Sequence, residues 1–267
     1  MPREPLLVFQ KVAENVFAVV GLPAHANISA FVLPKRVVLV DCGIQLPSAE
    51  PVRREIEDIS RRKVDTVILT HFHSDHTRAL PVFADCRIIA SNLLVRNLRQ
   101  AERKAPEGFS QTLPNETFDR QLELRDGDVR LVAKQTGGHT DCSTYVFCPN
   151  YRAVAAGDNL WTEYYPWGGA RGCDPDVWVQ ALEEYLSLDA EWLIPGHGPV
   201  GSRDSVLRLL AYLKNVGSVM KEMITLGKSE GEVVKAGGAV KYYPSGTGSA
   251  HISTLKKWHR IWRARVE

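Results

Sequence analysis

Six consecutive residues, His71 to His76, contain three imidazoles and one carboxylate. They directly follow the apolar run 64–70, which is too short and too rich in β-branched residues for a helix and therefore predicts a buried strand. Side chains in a tight loop at the end of a strand can converge on one point. Imidazole and carboxylate are the donors that divalent zinc, iron, manganese and cobalt accept, so this stretch predicts a metal site.

Three more polar residues follow apolar strand patterns later in the chain, and each stands beside a glycine that lets the backbone turn or approach closely. They occur in the stretches GGHT, AGDN and PGHG. Five imidazoles and two carboxylates exceed the three protein ligands that a catalytic zinc usually has, and they suit two adjacent metals with one carboxylate between them. The candidate ligands are His71, His73, Asp75, His76, His139, Asp158 and His197.

The order of these motifs, with VDCG upstream at residues 40–43, resembles the metallo-β-lactamase-fold hydrolases. The resemblance covers about residues 8–200 and includes GGHTDCS, AAGDNL and PGHGPV. Asp41 matches the family's supporting aspartate, which fixes the tautomer of a metal-bound histidine. The ligand sets that the resemblance implies are His71, His73 and His139 for a first metal, Asp75, His76 and His197 for a second, and Asp158 as the bridge.

The resemblance implies two divalent ions as cofactors, most naturally zinc, with iron or manganese as alternatives. A hydroxide held between them would be the nucleophile, because metal coordination lowers the pKa of water from roughly 15.7 to about 7. We expect Asp75 to be the catalytic residue that orients this nucleophile and passes its proton to the leaving atom. The chain has no GxSxG, GxxxxGK[ST] or GxGxxG motif, which removes the main rival mechanisms.

These features predict a hydrolase of ester, lactone, β-lactam-like amide or thioester bonds, with activity on more than one of them. The lactonases of the family have a tyrosine three residues after the bridging aspartate, and here that position is Trp161. The alternative is a phosphodiesterase or nuclease of the same fold, which a steep fall of binding affinity with salt would favour.

The segment 161–167 contains two tryptophans and two tyrosines, and we expect it to leave the metal edge as a loop. One hypothesis is that Trp161, Tyr165 and Trp167 line an apolar substrate pocket beside the metals, since aromatic side chains bury large areas. The other is that they fill the gap between this loop and a helix predicted at 175–188. His25, in the turn 21–27, is expected to contact substrate and not to bind metal.

The whole chain predicts an α/β fold, the four-layer αββα sandwich of the family, as one domain over residues 1–267. Its metal-binding core would span about 8–200 and a C-terminal helical part about 203–267, with Ser202 or Asp204 capping a long helix to about 226. The 267 residues carry a net charge of +2, which is too mild to indicate nucleic acid as a partner. We expect a small-molecule substrate, no membrane and a cytoplasmic location, because no signal core or membrane span is legible. The sequence leaves open whether the protein forms a homo-oligomer.

Overall fold

The computed structural model describes residues 8–20, 26–43, 46–105, 111–243 and 249–266. Two single-turn 3-10 helices, Leu80–Phe83 and Pro149–Tyr151, connect larger elements. The strands are β1 (Val8–Ala13), β2 (Val16–Val20), β3 (Ile28–Val32), β4 (Val37–Val40), β5 (Val64–Ile68), β6 (Arg87–Ser91), β7 (Glu116–Phe118), β8 (Gln121–Asp126), β9 (Val129–Gln135), β10 (Thr144–Cys148), β11 (Ala153–Trp161) and β12 (Trp192–His197). The helices are α1 (Leu46–Ser60), α2 (Ser74–Thr77), α3 (Asn92–Arg103), α4 (Pro175–Ser187), α5 (Arg203–Thr225), α6 (Glu230–Ala239) and α7 (Ser249–Val266).

Strands β1 to β7 form one sheet in chain order, and β12, β11, β10, β9 and β8 form a second. The neighbours β4 to β7 run parallel, as do β11 and β12. Parallel strands need crossover connections, which α1 and α3 supply in the first sheet. The carboxyl ends of parallel strands lie at one edge of a sheet, where open α/β sheets bind ligands. β4 ends just before Asp41, β5 just before the HxHxDH loop, and β12 at His197 itself.

Three apolar clusters occupy the three spaces between four layers. One lies between the first sheet and the helices α1 and α3, one between the two sheets, and one between the second sheet and helices α4 to α7. Strand β4 shows how sequence alternation produces this arrangement. Val37 and Leu39 belong to the first cluster, whereas Val38 and Val40 belong to the cluster between the sheets. Both faces of the strand are covered, so all four residues are apolar. The predicted αββα sandwich is confirmed.

In the C-terminal part, the sequence predicts the cap of one helix correctly but does not predict a second helix. Ser202 caps α5 by accepting a hydrogen bond from the backbone of Asp204, as expected. Helix α6 was not predicted, although Ser229 and Glu232 form a reciprocal capping box that is legible in the sequence. None of the helices in the described ranges is long and apolar enough to cross a membrane.

Strand β11 differs from its prediction. The apolar run Ala153 to Ala156 predicts a strand that closes before Asp158, but β11 continues through Trp161. Its nine residues are all buried, because the strand lies between β10 and β12 with both faces covered. The expected loop therefore begins after Trp161, and Asp158 is held within a strand.

Candidate metal centre

The HxHxDH stretch is split between a loop and a helix. His71 and His73 follow β5, while Asp75 and His76 lie in the first turn of α2. The backbone N–H of His76 donates to the carbonyl of His73 at 3.1 Å, which closes this turn. The turn directs all four candidate ligands towards the same edge of the sheets.

Three imidazoles and one carboxylate form a first group. His73 Nδ1 lies 2.9 Å from His71 Nε2 and 3.0 Å from His139 Nε2, and Asp158 Oδ2 lies 3.3 Å from His139 Nε2. The four donor atoms lie within 4.8 Å of one another. A neutral imidazole carries one proton, so three ring nitrogens this close cannot all be satisfied by hydrogen bonds to each other. Their convergence suits a cation.

Asp75, His76 and His197 form a second group, again within 4.8 Å. Asp75 Oδ2 lies 3.2 Å from His197 Nε2. The carboxylate of Asp158 faces both groups: its Oδ2 points to the first, and its Oδ1 lies 3.0 Å from His76 Nε2 and 3.5 Å from His197 Nε2. The side chain of Asp158 therefore has the position of a bridge between two sets of ligands.

Asp41 and Thr70 fix the orientation of two of these rings. Asp41 has a positive φ of 63°, a backbone conformation that Asp tolerates better than most residues. His76 Nδ1–H donates to Asp41 Oδ2 at 2.7 Å, so its Nε2 is the atom that faces the second group. Thr70 donates its hydroxyl proton to the same carboxylate at 2.8 Å and lies 3.0 Å from His71 Nδ1. The sequence indicated Asp41 but not Thr70, whose role depends on the contact between β4 and β5.

The two groups differ in their electrostatics. Burial, together with the neighbouring ring of His139, lowers the pKa of His73 to about 3, and burial lowers the pKa of His139 itself to about 4. These rings are neutral at pH 7 and keep a free lone pair. Burial opposes charge on His197 as well, but Asp158 and Asp75 raise its pKa to about 9. Without metal the second group therefore holds a proton that metal binding would release.

Buried polar atoms that lack a hydrogen-bond partner show whether these residues suit a metal ion. Among the described residues, His76 Nε2 and Asp158 Oδ1 are buried and lie 3.0 Å apart, but neither forms a hydrogen bond of good geometry, with the other or with any other group. A buried polar atom without a partner costs about 1–3 kcal/mol, so such atoms are rarely left unused. Divalent ions would satisfy them, and the histidine and carboxylate donors suit zinc. The residues present fit the implied metals.

Glycines and one asparagine make room for the ligands. A Cβ on Gly196 would lie 1.9 Å from Asp158 Oδ1, so only glycine allows β12 to pass this carboxylate. Gly138 has a φ of +117°, and a Cβ there would approach Asn159 Oδ1 to 2.7 Å. That oxygen accepts a hydrogen bond from the backbone N–H of His139 at 2.9 Å. Asn159 thus holds the loop that presents His139, a role that sequence reasoning missed.

Of the aromatic residues predicted to line a pocket, two lie at the metal centre. Trp161 stacks on His197 with ring centroids 4.2 Å apart, and Trp167 lies 5.3 Å from His73. Both line a cavity of about 400 Å³ together with the candidate ligands. Tyr165 instead packs against Tyr212, Tyr242 and His251 in the third apolar cluster. The expectation that Tyr165 lines the pocket does not agree with this position. His25 lies outside the described residues.

Comparisons with known proteins show which family the chain resembles. The family model for the Metallo-beta-lactamase superfamily matches residues 22–197. A linear primary-alkylsulfatase of Pseudomonas sp. is 22% identical over 66% of this chain, and a metallo-beta-lactamase type 2 of Bacillus sp. is 26% identical over 67%. The chain spans 42% of the length of the first relative and 69% of the second.

A solved metallo-beta-lactamase from Pontibacter korlensis has a TM-score of 0.67 and 20% identity. The match covers 78% of this chain and 99% of that one, which shows a common fold. The family model spans most of the strands and reaches the last candidate ligand, His197. The chain therefore belongs to the metallo-beta-lactamase superfamily.

Proposed function

We propose that this protein is a hydrolase with a dinuclear metal centre that cleaves ester, lactone, thioester or β-lactam-like amide bonds. The observation that carries the proposal is the position of Asp158, with one carboxylate oxygen facing each group of donors. In the proposed site, His71, His73 and His139 would hold one divalent ion, Asp75, His76 and His197 would hold the other, and the carboxylate of Asp158 would serve both. Zinc is the proposed metal.

Divalent ions in such a site supply Lewis acidity and make water acidic enough to serve as a nucleophile near neutral pH. The side chains position and protonate the reactants. Asp75 lines the cavity and is 25% exposed, so its carboxylate can reach a water as well as a ligand position. Burial would raise the pKa of Asp75, but His76 and His197 lower it to about 2. The carboxylate is therefore ionised at pH 7, where it can accept the proton of the attacking water and deliver it to the leaving atom.

The cavity limits the orientation of the substrate. Trp161 and Trp167 line it together with Ser74 and Asp75. We place the scissile bond next to Asp158 and His197, which line the cavity together with the two aromatic rings. This arrangement supports a small organic substrate with an apolar part, and the names of the two relatives agree with small-molecule hydrolysis.

The test combines metal analysis with a substrate panel. The purified protein should bind close to two metal equivalents per chain and hydrolyse at least one neutral aryl ester, lactone, thioester or β-lactam. Asp158→Ala should lower both metal content and hydrolysis, whereas Asp128→Ala, at an exposed position in the turn between β8 and β9, should change neither. Full hydrolysis after complete chelation would exclude the proposed mechanism. Hydrolysis of phosphodiesters alone would favour the nuclease alternative.

A further inference from the structure

A second cavity of about 660 Å³ adjoins the first. The two cavities share His73 and Ser74 in their linings, so they are two adjoining parts of the surface around these residues. The candidate ligands Asp75, Asp158 and His197 line the first part, and His73 lines both. The second part, called the side groove from here on, runs from His73 between the α2 turn and the carboxyl-terminal end of α3. A substrate whose reacting bond lies at the metal centre can therefore extend into the side groove.

The side groove has an apolar surface along much of its length. Phe72 and Pro81 come from the segment around α2, while Ala101 and Ala105 come from α3 and the residues after it. The short alanine side chains leave space that larger residues would fill. An alkyl or aryl part of a substrate would remove its own surface and that of Phe72 from water, at about 25 cal/mol per Å² of apolar area buried.

Arg78 adds a positive charge to the lining of this apolar groove. It follows Ser74 by four residues at the carboxyl end of α2, so the two side chains share a face, and both line the groove. Arg78 is exposed, and its guanidinium has no ion pair or hydrogen bond with any residue in the described ranges. The groove-lining residues that the structure describes include no Asp or Glu. An unpaired guanidinium presents several donors in a planar fork that matches a carboxylate.

We propose that the side groove selects substrates whose apolar chain ends in a carboxylate, and that Arg78 is the residue that recognises this end. The proposal rests on the proposed function, because it places the reacting bond at the metal centre. It adds the substrate class: an ester or thioester of a chain that carries an anionic end some carbon atoms away from the scissile carbonyl. Arg78 does not contact the reacting atoms in this assignment, so it determines specificity and not the rate of the chemical step.

The first arm of the test compares 4-nitrophenyl hexanoate with mono-4-nitrophenyl adipate. These esters share the leaving group and a six-carbon chain but differ in a terminal methyl or carboxylate. We expect the metal-loaded protein to favour the adipate by about fivefold in kcat/KM, the upper range for a partly exposed ion pair. Arg78→Gln should reduce the ratio to about one and Arg78→Glu should reverse it, since the interaction is electrostatic. The value for the hexanoate should stay within about twofold in Arg78→Gln, because an uncharged chain gains nothing from the guanidinium.

The control is Arg54→Gln, which removes an exposed arginine on α1, away from the groove. It should leave the adipate-to-hexanoate ratio unchanged. Raising the salt concentration should reduce the preference of the wild-type protein, because partly exposed charges are screened. A ratio at or below one for the wild type, or a ratio retained in Arg78→Gln, would overturn the assignment.

A binding arm separates failure of this inference from failure of the proposed hydrolysis. The anilides N-(4-nitrophenyl)hexanamide and N-(4-nitrophenyl)adipamic acid resemble the two esters but resist cleavage, and equilibrium dialysis measures their binding directly. The adipamic acid should bind the wild type more tightly than the hexanamide, and the difference should vanish in Arg78→Gln. Equal binding, or binding of neither compound, overturns the role of the groove even where an ester is hydrolysed. Absent hydrolysis with preferential binding of the acid instead overturns the proposed reaction.

Discussion

The hydroxyl of Tyr242 donates a 2.5 Å hydrogen bond to the backbone carbonyl of Trp161, which stacks on His197. Tyr242 lies between α6 and α7, beyond the region that the family model matches. Trp161 also contacts the proposed bridging residue, because its indole N–H donates to the backbone carbonyl of Asp158 at 2.8 Å. The C-terminal helical part thus reaches the metal centre through Trp161.

Replacing Tyr242 with Phe should loosen this contact. The loss of one buried hydrogen bond should lower the free energy of unfolding by about 1 kcal/mol. Because Trp161 then holds His197 less firmly, the visible absorption spectrum of the cobalt-loaded protein should change as well. Tyr212→Phe is the matched control, since that hydroxyl contacts His251 in the same aromatic cluster. It should cost similar stability and leave the cobalt spectrum unchanged. Identical spectra for both variants and the wild type would show that Tyr242 only supports the fold.

Asp41→Asn should weaken metal binding about 10- to 100-fold, the range typical for residues that orient metal ligands. Asn accepts the positive φ at this position, so the backbone can remain in place. If its oxygen keeps the bond from the backbone N–H of Thr70, its NH₂ group faces His76 Nδ1. The ring must then carry its proton on Nε2, the atom that faces the metals.

Competitive titration with a chromophoric chelator measures this loss. Asp126→Asn is a suitable control, because Asp126 is also buried and accepts a backbone hydrogen bond, from Lys35 at 2.6 Å, but lies far from the candidate ligands in the chain. Equal metal affinity for Asp41→Asn and the wild type would contradict the role assigned to Asp41.

Gly196→Ala should displace the carboxylate of Asp158, because the new Cβ would lie 1.9 Å from its Oδ1. We expect lower metal content and a lower melting temperature. A Cβ on Gly231 in α6 would meet nothing within 4 Å, so Gly231→Ala should stabilise the protein by about 0.5–1 kcal/mol. The pair is compared by thermal unfolding and metal analysis. Normal metal content in Gly196→Ala would mean that the site tolerates a shift of Asp158.

Asp75→Asn keeps the size of the side chain but removes its charge. We expect hydrolysis of the best substrate to fall by about 100-fold or more, the range for loss of a general acid–base group. Stopped-flow measurements at saturating metal separate this effect from weaker metal binding. The substitution Lys35→Ala, on an exposed turn, should leave the rate unchanged. A wild-type rate for Asp75→Asn would remove Asp75 from the proposed proton transfer.

The convergence of the HxHxDH side chains could be predicted from sequence, because they are close in the chain and follow an apolar strand. The roles of Asn159 and Thr70 could not be predicted, since Thr70 bonds Asp41 and Asn159 bonds the backbone of His139, and only the folded sheets bring these residues together. One hypothesis places Tyr165 in the pocket with its sequence neighbours, but helices α5 and α7 supply the aromatic partners against which it packs. The side groove could not be predicted from sequence either, because residues from two separate parts of the chain, around α2 and at the end of α3, line it.

Trp167 is the aromatic residue best placed to select substrates at the metal centre. It is 36% exposed, its ring lies 6.0 Å from His139, and it lines the cavity. Trp167→Ala should raise KM for aryl substrates about fivefold, because a stacked or edge-on aromatic contact is worth about 0.5–1.5 kcal/mol. Values of kcat and metal content should not change, since no described hydrogen bond joins its side chain to a ligand.

Trp178→Ala provides the contrast, since that ring is fully buried against His139 and its indole N–H donates to the carbonyl of Asn159. It should lower the free energy of unfolding by about 3–5 kcal/mol. Steady-state kinetics on an aryl and an alkyl ester of equal length, with thermal unfolding of both variants, distinguish the two roles. If Trp167→Ala reduces the difference in KM between the aryl and the alkyl ester and unfolds at the same temperature as the wild type, Trp167 is part of the substrate pocket. If it instead unfolds as early as Trp178→Ala and keeps the discrimination, Trp167 belongs to the packing of the segment after β11.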